Sequence, residues 1–435
     1  MSKLLNDNSR CNVKGLFSVS PMLFFILLFI FIFLLTGNIY KISLSVVFTI
    51  SSVYALYTLK NRSITERIKV FSRGAGQENL MLMLWIFVLA GAFAQTAKDI
   101  GAIDAVVRVA LHFLPSHLIL AGLFVTACFV SLSIGTSVGT VAALVPIATG
   151  IATSTGQPTA MLVAAVVGGA FFGDNLSFIS DTTIASTKTQ GCELKDKFKA
   201  NFLIVLPAAI ITVIIYIFTN SQSQYSTEIT AIDYIKMLPY IIILVSAICG
   251  MNVFVVLAVG NLLSGITGMA LGVCNMEDWF VSAGNGIMSM GELIIISMLA
   301  GGMLEVIREN GGIEYIINKL SSHIHSKRGG ELIIGAMVGI TNLCTANNTI
   351  AILSVGKIAK SICTRFGINP CKAASILDTF SCVVQGLIPY GAQFLIASGL
   401  SHVQPTNILP YIYYPVIVGI TAIIGIIIRY PKKYS

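Results

Sequence analysis

The chain has 435 residues, of which 55% are hydrophobic and only 11% charged, with a formal net charge of +8. Soluble domains carry about 25% charged residues, so this composition excludes an ordinary soluble enzyme and points to a polytopic membrane protein in a lipid bilayer. The basic excess then belongs to loops on one membrane face rather than to nucleic-acid binding.

In chain order, Lys3 to Lys14 followed by Met22–Leu35 resembles a signal peptide. No small-residue cleavage pattern follows, so the stretch reads as a first span. Apolar runs of about 17–25 residues can cross a bilayer as helices. The clear ones are 21–37, 41–59, 80–97, 200–219, 232–250, 251–270, 290–307 and 408–428. A shift of 210 residues brings the first four onto the last four within a residue or two. The segments Leu89–Asp104 and Leu299–Glu314 then share five identities, with like charges at Lys98/Arg308, Asp99/Glu309 and Asp104/Glu314. A repeat at fixed spacing predicts two membrane units, 1–225 and 226–435.

Charge sets their orientation. Loop 60–73 carries Lys60, Arg62, Arg67, Lys69 and Arg73, whereas its counterpart 272–288 has Glu277 and Asp278 and no basic residue. Loop 188–199 carries Lys188, Lys195, Lys197 and Lys199, a run read as an orientation signal. With both termini cytoplasmic, 23 of the 27 basic residues fall inside, leaving Lys41, Lys98, Arg108 and Lys236 outside. Equivalent loops thus lie on opposite sides, so the repeats are inverted, an arrangement typical of secondary transporters. The expected fold is an all-α polytopic membrane protein with two inverted-topology repeats. Each has about five spans, a helical hairpin and one broken helix.

Two polar-interrupted pieces recur in each half. Segment 117–154 is broken at Ser133–Thr140 and its counterpart 331–362 at Thr341–Thr349. Each reads as two helices meeting at a polar tip, as a re-entrant hairpin or as two short spans. Segment 158–187, containing GDNLSFISDTT, corresponds to 371–399, containing QGLIPYGAQF. Each reads as a span unwound at its middle, with Gly173, Gly386, Pro389 and Gly391 permitting the break. Freed carbonyls and half-helix ends there are expected to be available to an ion.

Asp174 and Asp181 are the chemical focus. A carboxylate near mid-bilayer costs roughly 2.5–3.5 kcal/mol on insertion scales and marks function. Na+ is a hard cation that takes oxygen ligands. Candidate ligands in the first half are Thr136, Ser137, Thr140, Asp174, Asn175, Ser177, Ser180, Asp181, Thr182 and Thr183. The second half offers Thr345, Asn347, Asn348, Thr349, Asp378, Gln385 and Tyr390. The second break carries no carboxylate of its own, so the site is expected to be weighted towards the first half. Asp174 and Asp181 would hold Na+ and release or take up H+ in exchange. Glu305 is expected to pair with Arg308, and His323 and His325 to be a solvated surface. The nine cysteines show no metal spacing and read as free thiols.

The segment Gly173–Thr183 resembles the G-D-x-x-S-x-x-S-D-T-T signature of the NhaC-type Na+/H+ antiporters, and Gly135–Thr140 resembles their G-T-S-x-G-T tip. The resemblance covers most of the chain. It implies a Na+/H+ exchanger of the bacterial inner membrane, working by alternating access, with no cofactor beyond the ions and, as is common among proteins of this plan, a homodimer. The family's polar motif falls here on Asp174, Ser177, Ser180, Asp181, Thr182 and Thr183. Some relatives carry Lys after the first Asp and Pro after the first Ser, where this chain has Asn175 and Phe178. The family also contains Na+-coupled carriers of small carboxylates or amino acids. Such a carboxylate would favour a midplane Lys or Arg, and neither broken segment offers one.

Overall fold

A computed structural model describes residues 2–36, 44–60, 62–113, 115–178, 180–219, 234–249, 251–321, 324 and 326–434. His323, His325, Lys41 and the 225/226 boundary lie outside these residues. Within them every regular element is helical. Six helical stretches are long and apolar enough to cross a membrane, or seven if Pro405–Tyr411 and Tyr413–Ile427, bent by 52°, count as one span.

The first run of helices is α1 (Ser2–Thr36), α2 (Leu44–Thr58), α3 (Ile64–Ala75), α4 (Glu78–Asp99), α5 (Ala102–Phe113), α6 (Ile119–Ile134), α7 (Ser137–Thr155), α8 (Thr159–Leu176), α9 (Asp181–Gln190) and α10 (Leu194–Thr219). The second is α11 (Leu238–Ile248), α12 (Val253–Ala270), α13 (Met276–Ser289), α14 (Gly291–Glu309), α15 (Gly312–Ser321), α16 (Lys327–Thr345), α17 (Asn348–Phe366), α18 (Pro370–Gln385), α19 (Ala392–Ser401), α20 (Pro405–Ile408) and α21 (Tyr413–Ile427). Within the described residues, each of the eight clear apolar runs falls on a helix.

Burial follows sequence composition. Helix α8, rich in Ala, Val and Gly, is buried on all sides from Met161 to Gly173 apart from a half-buried Phe172, as expected of a helix apolar all round. By contrast, α10 exposes Ile210, Ile211, Ile214 and Phe218, and α21 exposes Ile420, Ile423, Ile424 and Ile427. Apolar faces of this extent suit contact with lipid rather than water.

Both hairpins turn at their polar tips. Between α6 and α7 the chain reverses at Gly135, whose φ of +74° is a left-handed conformation open to glycine without steric cost. Between α16 and α17 the turn falls at Ala346 and Asn347, and the Asn347 side chain caps α17 by accepting from the Ile350 amide at 3.0 Å. The two breaks also form, but the first differs from expectation. It lies at 177–180, after Leu176, and Gly173 remains inside α8. Gly173 serves close packing instead, because a Cβ there would stand 2.2–2.5 Å from Ser131 of α6. The second break spans 386–391 and includes Gly386, Pro389 and Gly391.

The cysteine expectation is corrected at one pair. Cys192, after α9, and Cys371, at the start of α18, are disulfide-bonded with Cα atoms 5.2 Å apart. Cys128, Cys249, Cys274, Cys344, Cys363 and Cys382 are free.

Candidate ion-binding site

A cavity of about 340 Å³ opens where the four polar interruptions meet. The α6–α7 tip contributes Thr136 and Ser137, and the α8–α9 break contributes Asp174, Ser180, Asp181 and Thr182. From the other half come Asn347, Asn348 and Thr349 of the α16–α17 tip, with Gln385 and Gln393 flanking the α18–α19 break. Leu82, Met83 and Ile86 of α4 and residues 251–254 before and within α12 close the remaining wall. The N-termini of α7, α9, α17 and α19 all reach the lining. Helix N-termini carry partial positive charge, so this cavity suits fixed carboxylates that in turn attract a cation.

Asp174 is 4% exposed and anchored to the first hairpin. Its Oδ1 accepts from the Ser137 amide at 3.0 Å and its Oδ2 from the Ser137 hydroxyl at 2.5 Å. The carboxylate thereby caps the N-terminus of α7, which offsets part of the cost of burying charge. Asp181 differs. It occupies the first turn of α9, is exposed, and lines the cavity. Ser180 and Thr182 share a hydroxyl–hydroxyl bond of 2.9 Å beside it.

A relay of amides joins this carboxylate to the opposite half. Gln393 Nε2 donates to Ser137 Oγ at 2.8 Å, and Gln385 Nε2 donates to Gln393 Oε1 at 3.0 Å and to the Ala346 carbonyl at 3.0 Å. Gln393 is a cavity residue that sequence reasoning missed. Its position inside an apolar half-helix was a signal for it, since a buried amide needs partners.

Asn175, Ser177, Thr183 and Asp378 are buried but do not line the cavity. Thr140 bonds its own helix, Thr345 bonds the Asn347 carbonyl, and Tyr390 bonds the Leu343 carbonyl. Two carbonyls at the end of α8 are also already engaged, which corrects for these two the expectation that freed carbonyls await an ion. Asp174 O accepts from Thr182 Oγ1 at 3.0 Å and Thr183 Oγ1 at 3.3 Å, and Asn175 O accepts from Lys197 Nζ at 2.8 Å and Asn201 Nδ2 at 2.9 Å.

Lys197 is a further correction. Rather than an orienting surface charge, it is 1% exposed and forms an ion pair with Asp378, itself 0% exposed. Its ammonium also donates to Thr183 Oγ1 at 2.6 Å. Asn201, one turn further along α10, donates to Asp378 Oδ2 at 3.0 Å, while the Ser375 and Thr379 hydroxyls donate to its Oδ1. The i,i+4 spacing of Lys197 and Asn201, which places both on one face of α10, was the available clue. Elsewhere, Glu305 pairs as expected with Arg308 at 3.7 Å, and with Arg73 at 3.8 Å. Among the described residues no cluster of His, Cys, Asp and Glu has the makings of a metal centre.

The family model described as the Na+/H+ antiporter family matches residues 12–221 and 223–428. This chain belongs to that family. The Na(+)/H(+) antiporter NhaC of Bacillus subtilis (strain 168) is 25% identical over 82% of the chain and 85% of its own length. An uncharacterized Na(+)/H(+) antiporter of Haemophilus influenzae is 23% identical over 76% of this chain and 79% of that one. Among solved structures, the Alcanivorax borkumensis YdaH transporter is similar at a TM-score of 0.46 and 11% identity, covering 90% of this chain and 98% of that one.

Proposed function

We propose that the chain is a secondary transporter exchanging Na+ for H+ by alternating access at the cavity around Asp174 and Asp181. The observation that carries this reading is the convergence of both carboxylates with hydroxyl and amide oxygens from all four interruptions on one cavity. Asp174, Asp181, Ser180 and Thr182 supply the hard oxygen ligands that Na+ requires. A carboxylate engaged with Na+ cannot hold a proton at the same oxygens, so the two ions compete for the site. Competition of this kind at one alternately accessible site is sufficient for exchange.

The proposed architecture is two inverted repeats, 1–225 and 226–435, in the bacterial inner membrane with both termini cytoplasmic. Packing supports it. Half-helix α9 lies against α17 and α18, and α19 lies against α7 and α8. Likewise α4 packs on α12 and α13, and α14 packs on α2 and α3. Such reciprocity is what a two-fold relation between halves produces. Gly91 of α4 meets Gly286 of α13, where a Cβ would stand 2.4 Å from the facing carbonyl. Gly301 of α14 meets Gly74 of α3 in the same manner, with a Cβ on Gly74 2.3 Å from the facing carbonyl. The family model divides near the same boundary. A contact between loops assigned to the cytoplasm adds support: Arg62 pairs with Glu309 at 2.6 Å.

Coupled carriage of a small carboxylate or amino acid is not favoured. Both cavity carboxylates would repel a third, and the buried Lys197 ammonium beside the break is already matched by Asp378. The test is dissipation of ΔpH in inverted vesicles on addition of Na+, Li+ or K+. The native chain should respond to Na+, and Asp174→Asn and Asp181→Asn should abolish or severely reduce the response. A native protein, correctly inserted, that shows no cation response would overturn the reading.

A further inference from the structure

We propose that the ammonium of Lys197 occupies a second alkali-cation site, so that the protein carries one mobile Na+ and one tethered cation beside it. This inference rests on the exchange reading above and deepens it, since it fixes how many ions the site can load.

The surroundings of the ammonium are those of a hard-cation site. Its three acceptors are a carbonyl, a hydroxyl and a carboxylate: Asn175 O at 2.8 Å, Thr183 Oγ1 at 2.6 Å and Asp378 Oδ2. These are the oxygen types that bind Na+, and three bonds exhaust the protons of an ammonium. No group in the cluster is more than 2% exposed. The cradle also has support that does not depend on the lysine. Asn201 Nδ2 donates to both Asn175 O at 2.9 Å and Asp378 Oδ2 at 3.0 Å, and Asn201 Oδ1 in turn accepts from the Ser375 and Thr379 hydroxyls. Take away the ammonium, and a buried carboxylate remains among fixed oxygens with no counter-charge. That arrangement is costly unless another cation enters.

The two sites share one structural element. Adjacent residues of α8 face them separately: the Asp174 carboxylate lines the cavity, and the Asn175 carbonyl faces Lys197. Thr182 lines the cavity while Thr183 bonds the ammonium. An ion reaching the cavity therefore lies one residue away from the tethered cation. A lysine that acts only as a structural clasp predicts loss of stability on its removal, with no specificity for the added ion. A tethered cation predicts that Na+ replaces it.

The experiment measures 22Na+ binding stoichiometry and thermal unfolding of the purified full chain in NaCl and in choline chloride of equal ionic strength. It compares the native protein, Lys197→Ala and Lys197→Ala/Asp378→Asn. The native protein should bind one Na+ and Lys197→Ala two, with the double variant returning to one. Lys197→Ala should also be far more stable in NaCl than in choline chloride, by a margin absent from the double variant. If Lys197→Ala binds no more Na+ than the native chain, or is equally unstable or unfolded in both salts, the tethered-cation proposal is overturned while exchange at Asp174 stands. If the native chain binds no Na+ at all, the exchange reading fails and takes this inference with it.

Discussion

Asp174 answers two opposed demands, burial and charge, through its neighbours. The Ser137 amide and hydroxyl both donate to it, and Gln393 holds that hydroxyl from the other half of the chain. Removing the hydroxyl by Ser137→Ala takes away one charge-assisted bond, on the order of 1.5–3 kcal/mol. The expected result is a roughly 10- to 100-fold weaker apparent Na+ affinity in the vesicle assay, with the protein still inserted. Under the proposed competition of H+ and Na+ for this carboxylate, acidification should weaken apparent Na+ affinity too, approaching about tenfold per pH unit at the acid limit by linkage. An affinity independent of pH would separate the proton site from Asp174. The sequence made Asp174 conspicuous, being a carboxylate in an apolar run. It hid Lys197, whose partner Asp378 lies 181 residues away, because a lysine among lysines reads locally as a loop charge.

At the scale of elements, the interruptions were legible because polar clusters within long apolar runs conflict with an uninterrupted span. Their exact position was not. Glycine in the GDNLSFISDTT stretch suggested a break at residue 173, yet the helix continues to Leu176 because the absent Cβ is what lets α8 approach α6. Gly173→Ala should therefore cost about 1–3 kcal/mol by overpacking, read as a lowered unfolding midpoint. Gly284→Ala in α13, where an added Cβ meets nothing within 4 Å, should be neutral or slightly stabilising. Equal effects at the two positions would contradict this account. The half-helices α9 and α19 have little cohesion of their own at 10 residues each, so their place is set by packing against the opposite half.

For the whole molecule, the link between Cys192 and Cys371 ties the turn after α9 to the start of α18, across a separation of 179 residues. Under the proposed orientation both sulfurs face the cytoplasm, where thiols are usually kept reduced. Alkylation of the denatured protein without reductant should leave Cys192 and Cys371 unmodified, and prior reduction should expose both to mass-shift labelling. Labelling of both without reductant would show two adjacent free thiols instead.

The sequence by itself determined what depends on local chemistry: a membrane protein, the positions of its apolar helices, the polar interruptions, and the family signature on Asp174 and Asp181. Hydrophobic length and helix-breaking polarity are properties of a segment, so they can be read along the chain. The tertiary structure alone decided which oxygens face the cavity, that the Asp174 and Asn175 carbonyls at the first break are engaged by Thr182, Thr183, Lys197 and Asn201, and that Gln393 reaches Ser137. Those outcomes depend on distances between residues remote in sequence, and only the packing of one half against the other sets them.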